Sequence, residues 1–212
     1  MGSLKKRRSF IRRSGFRDAR LIVLACEGKK TEPVYFEAVR RNLLPSPSRV
    51  HLEILPRGDT ASAPENIMAD LDDFKRRYNL RGDDELWMIF DYDRWGEAKL
   101  ADIAAKAVSK KILLAVSRPC FEFWLLLHHR DPESFSAEEI GHMSQGKCLT
   151  IVDLLRTAAG SYSKNLTNVL DYMPLVDLAR KRAEEMDVEK SARWPVSCGT
   201  RVYKVMESIL KK

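Results

Sequence analysis

Acidic side chains follow two strand-like segments of the sequence, at the point where each segment ends. Glu27 comes directly after the apolar run at residues 21–26, and Asp91 and Asp93 follow the run at residues 86–90. Because the carboxyl ends of parallel strands meet at one edge of a sheet, these three carboxylates are expected to converge. Such a cluster repels itself unless a cation neutralises it, and oxygen ligands suit Mg²⁺ or Mn²⁺. The spacing therefore predicts a metal site.

Each acidic motif also has a purely structural interpretation. Glu27 can cap the following helix, and an Asp-x-Asp pair is common in turns, where its side chains bond to nearby backbone groups. Either motif alone is more often structural, but both together after buried strands favour chemistry. The chain holds neither G-x-x-x-x-G-K-[ST] nor G-x-G-x-x-G, which argues against an ATPase or a dehydrogenase. A glycosyltransferase Asp-x-Asp stays open as an alternative.

Four further residues have two interpretations each. Lys29 and Lys30 lie in the loop after the first strand, where a lysine either steadies a phosphate or is simply solvated. Glu122 lies in a strongly apolar stretch, so it needs a partner, which is either a site contact or an arginine such as Arg118. His128, in the same stretch, is interpreted as a packing residue rather than a general base.

Apolar patterns predict the elements that position these residues. Strand-like runs at 21–26, 50–55, 86–90 and 111–116 alternate with helical patterns that include 64–78 and 96–108, and helical patterns dominate from residue 119 onward. This order predicts an α/β fold, with a mostly parallel sheet of about four strands flanked by helices and a C-terminal helical layer. We expect a basic, flexible arm at 1–19, an α/β core at 20–118 and a helical part at 119–212 packed on it as one domain.

Charge, cysteines and hydropathy bear on partners and compartment. The net charge of +7 lies entirely in the first twenty residues, which carry eight basic side chains and one acidic one. Such an arm can follow a nucleic-acid backbone, or it can be a solvated leader. The four cysteines form no C-x-x-C pair, and neither a membrane span nor an export signal is recognisable. The sequence therefore predicts a cytoplasmic protein with no membrane partner.

Four segments, in order along nearly the whole chain, resemble a known family. They are CEGKKTEPVYF at 26–36, FDYD at 90–93, CFEFWLLLH at 120–128 and T-x-V-x-K at 200–204. A strand followed by Glu-Gly, with Asp-x-Asp after a later strand, is similar to the Toprim domains of primases, topoisomerases and the overcoming-lysogenization-defect nucleases. More narrowly, the four segments resemble the RloB-like family.

This resemblance implies a Toprim-like sheet and Mg²⁺- or Mn²⁺-dependent cleavage of phosphodiester bonds in RNA, with tRNA as one option, or in DNA. It also implies a role in bacterial anti-phage defence, often beside a partner ATPase. Glu32 lies one residue further from Glu27 than in the related nucleases, so its role as a ligand stays open. The alternatives are a non-catalytic nucleic-acid-binding or regulatory subunit that partners a defence ATPase, and nucleotidyl transfer as in primases. The sequence does not indicate an oligomeric state.

Overall fold

A five-stranded sheet is the centre of the fold in the computed structural model, which describes residues 8–9, 19–57, 63–92 and 95–211. The strands are β1 (Arg8–Ser9), β2 (Arg20–Cys26), β3 (Val50–Ile54), β4 (Tyr78–Asn79), β5 (Glu85–Asp91), β6 (Leu113–Arg118) and β7 (Gly199–Thr200). The large sheet has the order β3–β2–β5–β6–β7, in which the first four strands are parallel and β7 is antiparallel to β6. The short strands β1 and β4 pair separately, in parallel.

Helices cover both faces of this sheet. The α-helices are α1 (Thr31–Asn42), α2 (Pro64–Arg77), α3 (Glu97–Lys110), α4 (Glu122–His129), α5 (Ala137–Ser144), α6 (Cys148–Ala158), α7 (Val176–Met186) and α8 (Val202–Leu210), with 3₁₀ segments at Pro132–Ser134 and Val169–Leu175. Helices α2 and α3 pack on one face, while α1 and the helices from α4 onward pack on the other. This arrangement confirms the predicted α/β fold with a C-terminal helical layer.

The apolar run of β2 reflects its position inside the sheet. Ile22 and Leu24 point into the core beneath α1 and α4, whereas Leu21 and Val23 point into the core beneath α2 and α3. Successive side chains of a strand alternate between faces, so a strand that is covered on both sides needs apolar residues at every position. β2 lies between β3 and β5, which places the residues after it near the middle of the carboxyl edge.

The strand β7 has no counterpart in the sequence prediction, which gave about four strands. It spans only two residues, and such a segment is too short to show an alternating pattern. Side chains hold it to the sheet: the hydroxyl groups of Ser117 and Thr200 lie 2.8 Å apart in a buried hydrogen bond. The C-terminal part of the chain thus contributes a strand as well as helices.

Helix α4 is buried along almost its whole length and carries His128 in its last turn. His128 is 1% exposed; its Nε2 lies 3.1 Å from the hydroxyl of Tyr35, and its Nδ1 lies 2.9 Å from the carbonyl oxygen of Trp124. These partners fit a neutral imidazole that donates from Nδ1 and accepts at Nε2. Burial lowers the pKa of His128 to about 3. The placement is that of a packing residue.

His128 should make the free energy of unfolding depend on pH. The unfolded chain takes up a proton at this histidine near pH 6.5, whereas the folded chain does so only near its pKa of about 3. Stability is therefore lost as pH falls below 6.5, by about 2 kcal/mol at pH 5. Urea unfolding of wild type and His128→Gln at pH 7 and pH 5 measures this difference. His142→Gln, in the partly exposed helix α5, is the control, and equal pH dependence in all three proteins would contradict the prediction.

No helix within the described residues has both the length and the apolar composition needed to cross a membrane.

Candidate functional site

The first two predicted site residues meet at the carboxyl edge of the sheet. Glu27 follows β2 directly, and Asp91 is the last residue of the neighbouring strand β5. The backbone N–H of Glu27 donates to the carbonyl oxygen of Ile89 at 2.8 Å, which continues the ladder by one residue. The backbone N–H of Asp91 in turn donates to Oε2 of Glu27 at 3.0 Å. The strand order therefore brings these two acidic residues together.

Glu32 reaches the same edge from the first turn of α1. Its Oε1 accepts a hydrogen bond from the backbone N–H of Gly28 at 2.8 Å, so the carboxylate lies over the loop that follows Glu27. Both glutamates are almost fully buried. Glu32 thus belongs to the cluster by position, which its spacing from Glu27 in the sequence left open.

Gly28 leaves the space that the Glu32 carboxylate occupies. A Cβ atom at position 28 would overlap all three atoms of that carboxylate group, and the φ angle of Gly28 lies outside the left-handed region. Gly28→Ala should therefore displace the Glu32 side chain and break its hydrogen bond, with a loss of about 1–2 kcal/mol of folding free energy. Urea unfolding measures this loss.

A double-mutant cycle separates this clash from other effects of the alanine. In a Glu32→Ala background, Gly28→Ala should cost almost nothing, because the overlapping carboxylate is gone. Gly82→Ala serves as the control, since a Cβ atom at position 82 meets open space. An equal cost of Gly28→Ala in both backgrounds would refute the predicted coupling.

Glu122 joins the cluster from the start of α4. The hydroxyl of Tyr162 donates to Oε1 of Glu122 at 2.7 Å, and the backbone N–H of Phe121 donates to Oδ1 of Asp91 at 2.8 Å. Of the two partners considered for Glu122, the arginine is not the one found. Arg118 instead donates to the carbonyl oxygen of Val196 at 2.9 Å.

The carboxylates influence one another electrostatically. Burial holds the pKa of Asp91 well above the usual range of an aspartate, and the charge of Glu32 raises it further. Glu27 and Glu122 act on Asp91 in the same direction. Burial also raises the pKa of Glu32, against the hydrogen bonds from backbone N–H groups that lower it. Four acidic side chains therefore share one partly desolvated region.

Neutral groups donate hydrogen bonds to all four carboxylates. These donors include the backbone N–H groups of Asp91, Gly28 and Phe121 and the hydroxyl of Tyr162. An all-oxygen donor set of this kind is the chemistry that Mg²⁺ and Mn²⁺ prefer. In the arrangement seen, however, no three His, Cys, Asp or Glu side chains of the described residues form a group that could hold a metal ion.

Two other predicted site residues stay predictions. Asp93 lies outside the described residues, and Lys29 is exposed in the loop between β2 and α1. Conversely, Tyr162 was not predicted: it lies in a polar loop after α6, where no motif marks it, and only the tertiary structure brings it to Glu122.

The fold and the site define a mostly parallel α/β protein with a cluster of carboxylates at the carboxyl edge of its sheet. The model of the family described as RloB-like protein matches residues 22–209, which is most of the chain. The chain therefore belongs to the RloB-like family. Comparisons with curated proteins and with solved structures gave no match.

Proposed function

We propose that this protein is a metal-dependent nuclease that cleaves phosphodiester bonds in RNA or DNA, with Mg²⁺ or Mn²⁺ as its cofactor. The observation that carries the proposal is the cluster of Glu27, Glu32, Asp91 and Glu122, which the charges themselves destabilise. A domain that only bound nucleic acid would gain nothing from concentrated negative charge beside a phosphate. The cluster is better explained by a function that needs the charge.

The proposed ligands are Glu27 and Asp91, with Asp93 from the sequence motif and Glu32 as a further candidate. When bound, a divalent cation supplies Lewis-acid activation of the phosphate and of water. The contributions of the protein are orientation and exclusion of water. Asp91 is fixed through Phe121, while Tyr162 holds the Glu122 carboxylate at the border of the site.

Exposed lysines around the cluster support a polyanionic substrate. Lys30 precedes α1, and the carbonyl oxygen of Lys164 accepts a hydrogen bond from Oγ1 of Thr31 at 3.1 Å, which places a second lysine beside the same helix. Lys147 precedes Cys148, and an interaction with Cys148 raises the pKa of the Cys120 thiol near the start of α4. Lysines from three separate segments are suited to contact a phosphate backbone. From the family resemblance we also propose a role in anti-phage defence, beside a partner ATPase.

A paired cleavage assay tests the enzyme proposal. Wild type and the double variant Asp91→Ala/Asp93→Ala are incubated with labelled tRNA, single-stranded RNA and plasmid DNA, with Mg²⁺, with Mn²⁺ and with EDTA. Wild type is expected to cleave one substrate class only with metal, and the double variant should lose at least about 100-fold of that activity. Asp153→Ala, on the exposed surface of α6, is the control and should cleave as wild type does.

Two results would count against the proposal. Cleavage that persists in EDTA or in the double variant would place the active site elsewhere or point to a contaminant. Binding of nucleic acid by wild type without cleavage, also after addition of the partner ATPase, would favour the alternative of a non-catalytic nucleic-acid-binding subunit.

A further inference from the structure

Arg57 lies at the same edge of the sheet as the carboxylate cluster, one strand further out. β3 ends at Ile54, and the backbone N–H of Leu55 still donates to the carbonyl oxygen of Leu24 in β2 at 2.8 Å. Arg57 follows two residues later, beyond the carboxyl end of the strand that neighbours the one preceding Glu27. Neighbouring strands are about 4.8 Å apart, so the long side chain of Arg57 can span the distance to the loop after β2.

One nitrogen of the Arg57 guanidinium group lacks a hydrogen-bond partner. Within the described part of the chain, its Nη2 is shut off from solvent and has no acceptor, and no residue forms an ion pair with Arg57. A donor buried in this way costs about 1–3 kcal/mol relative to one with an acceptor. Arg57 as a whole is only half-buried, so part of its side chain remains open to solvent.

The charge of Arg57 affects the pKa values of two nearby groups, the Cys26 thiol and the Asp70 carboxyl group. Burial and the charge of Glu32 raise the pKa of the Cys26 thiol, and Arg57 opposes them, which places its charge within reach of the residue before Glu27. Asp70 in α2 is the other neighbour. The pKa of Asp70 is raised by burial and by the charge of Asp73, and the charges of Arg57 and Arg77 compensate only in part.

We propose that Arg57 binds a phosphate group of the nucleic-acid substrate beside the carboxylate cluster, an inference that rests on the proposed nuclease function. A phosphate that approaches four carboxylates needs a fixed cation near the same edge. Arginine is suited to this task, because its guanidinium group stays charged at all relevant pH values and donates two parallel hydrogen bonds to phosphate oxygens. The missing acceptor of Nη2 would then be supplied by the substrate.

Two readouts test the proposal, with Arg49 as the matched control at the exposed, opposite end of β3. The first is the binding of a short labelled single-stranded RNA and DNA in EDTA, measured by fluorescence anisotropy over a range of salt concentrations. Arg57→Met should bind about 10-fold more weakly, and its plot of log Kd against log salt should be shallower by about 0.7, the increment for one phosphate contact. Arg49→Met should match wild type in both quantities.

The second readout is thermal stability, which separates phosphate binding from a structural role. Arg57→Met removes a buried donor without an acceptor, so its melting temperature should equal or exceed that of wild type. A lower melting temperature with unchanged RNA and DNA binding would overturn the proposal in favour of a structural pair with Asp70. Arg57→Lys retains the positive charge but cannot donate two parallel hydrogen bonds from one planar group. Its affinity for RNA and DNA should therefore lie between that of Arg57→Met and that of wild type.

The outcomes distinguish this proposal from the one on which it rests. If wild type cleaves and Arg57→Met binds and cleaves as Arg49→Met does, the role of Arg57 is refuted and the nuclease function stands. If wild type neither binds nor cleaves any of the nucleic acids, both proposals fail together.

Discussion

Asp187→Asn should lower the free energy of unfolding by about 3–5 kcal/mol, which is a large part of the stability of a protein of this size. Asp187 and Arg201 form a buried, bidentate ion pair, in which Nε and Nη2 of the arginine donate to the two carboxylate oxygens at 2.9 and 3.0 Å. Both residues are at most 4% exposed. Asparagine keeps the shape but leaves the arginine charge buried without its counter-ion.

The surroundings of this pair join three parts of the C-terminal layer. The hydroxyl of Tyr203 in α8 donates to Oδ2 of Asp187 at 2.9 Å, and Nη2 of Arg201 also donates to the carbonyl oxygen of Glu189 at 2.9 Å. Arg201 directly follows β7. The pair therefore fixes the end of α7, the loop after α7 and the strand β7. The loss of one charge should therefore loosen the edge of the sheet as well as the helices.

Acid should reproduce the effect of this variant. Burial alone would raise the pKa of Asp187, but the hydrogen bonds from Arg201 and Tyr203 outweigh it and hold the pKa below the usual aspartate value. A depressed pKa in the folded state gives stability that is fully present above the unfolded value of about 3.9 and is lost as pH falls through the folded value. Wild type should thus lose this contribution below about pH 4, whereas the variant has none to lose.

Urea unfolding followed by tryptophan fluorescence measures both effects. Asp153→Asn is the matched control, because Asp153 pairs with Arg156 on the exposed surface of α6 at 2.9 Å. An exposed pair contributes little, so the control should stay within about 0.5 kcal/mol of wild type. A loss in Asp187→Asn no larger than that of the control would show that the buried pair does not hold the C-terminal layer in place.

This pair also shows which parts of the fold the sequence could not predict. The buried strands β2 and β5 were recognisable because a strand covered on both faces must be apolar at every position. Arg201 and Asp187 lie fourteen positions apart in segments without periodicity, and their pairing depends on how α7, β7 and α8 pack. The short strand β7 was missed for the same reason, since tertiary contacts and not local pattern hold it in place.

Some parts of the candidate site could likewise be predicted from the sequence, and others could not. Glu27 and Asp91 could be predicted to meet, because the strand pattern places both at carboxyl ends and parallel strands share one edge. The contact of Tyr162 with Glu122 could not be predicted, because Tyr162 follows α6 at a position that no motif marks. For Glu122, the sequence correctly indicated that a carboxylate in an apolar helix needs a partner, but it could not decide between Arg118 and a contact within the site.

Asp91→Asn should make the protein more stable while it removes the proposed activity. Asparagine retains an oxygen that can accept the hydrogen bond from the backbone N–H of Phe121, so the start of α4 stays in place. It removes a charge that burial and the neighbouring carboxylates Glu32 and Glu27 disfavour. A gain of about 0.5–2 kcal/mol is expected, as is common where a functional site is maintained at a cost in stability.

Divalent cations should make wild type more stable than Asp91→Asn, which reverses the order of stability expected in EDTA. Wild type is expected to gain thermal stability as Mg²⁺ or Mn²⁺ is raised through the millimolar range, since a ligand that binds only the folded state stabilises it by mass action. Asp91→Asn lacks one proposed ligand and should respond weakly, so wild type should overtake it at high metal concentration.

Differential scanning fluorimetry of both proteins, with Asp153→Asn as the control and Ca²⁺ as a second cation, measures this crossing. Equal metal responses in all three proteins would remove Asp91 from the metal site. A variant that is less stable than wild type even in EDTA would mean that the Asp91 carboxylate stabilises the fold. In that case the charge cluster is structural, and the main argument for an enzyme is lost. Whether Asp91→Asn is more or less stable than wild type in EDTA therefore tests the proposed function before any substrate is known.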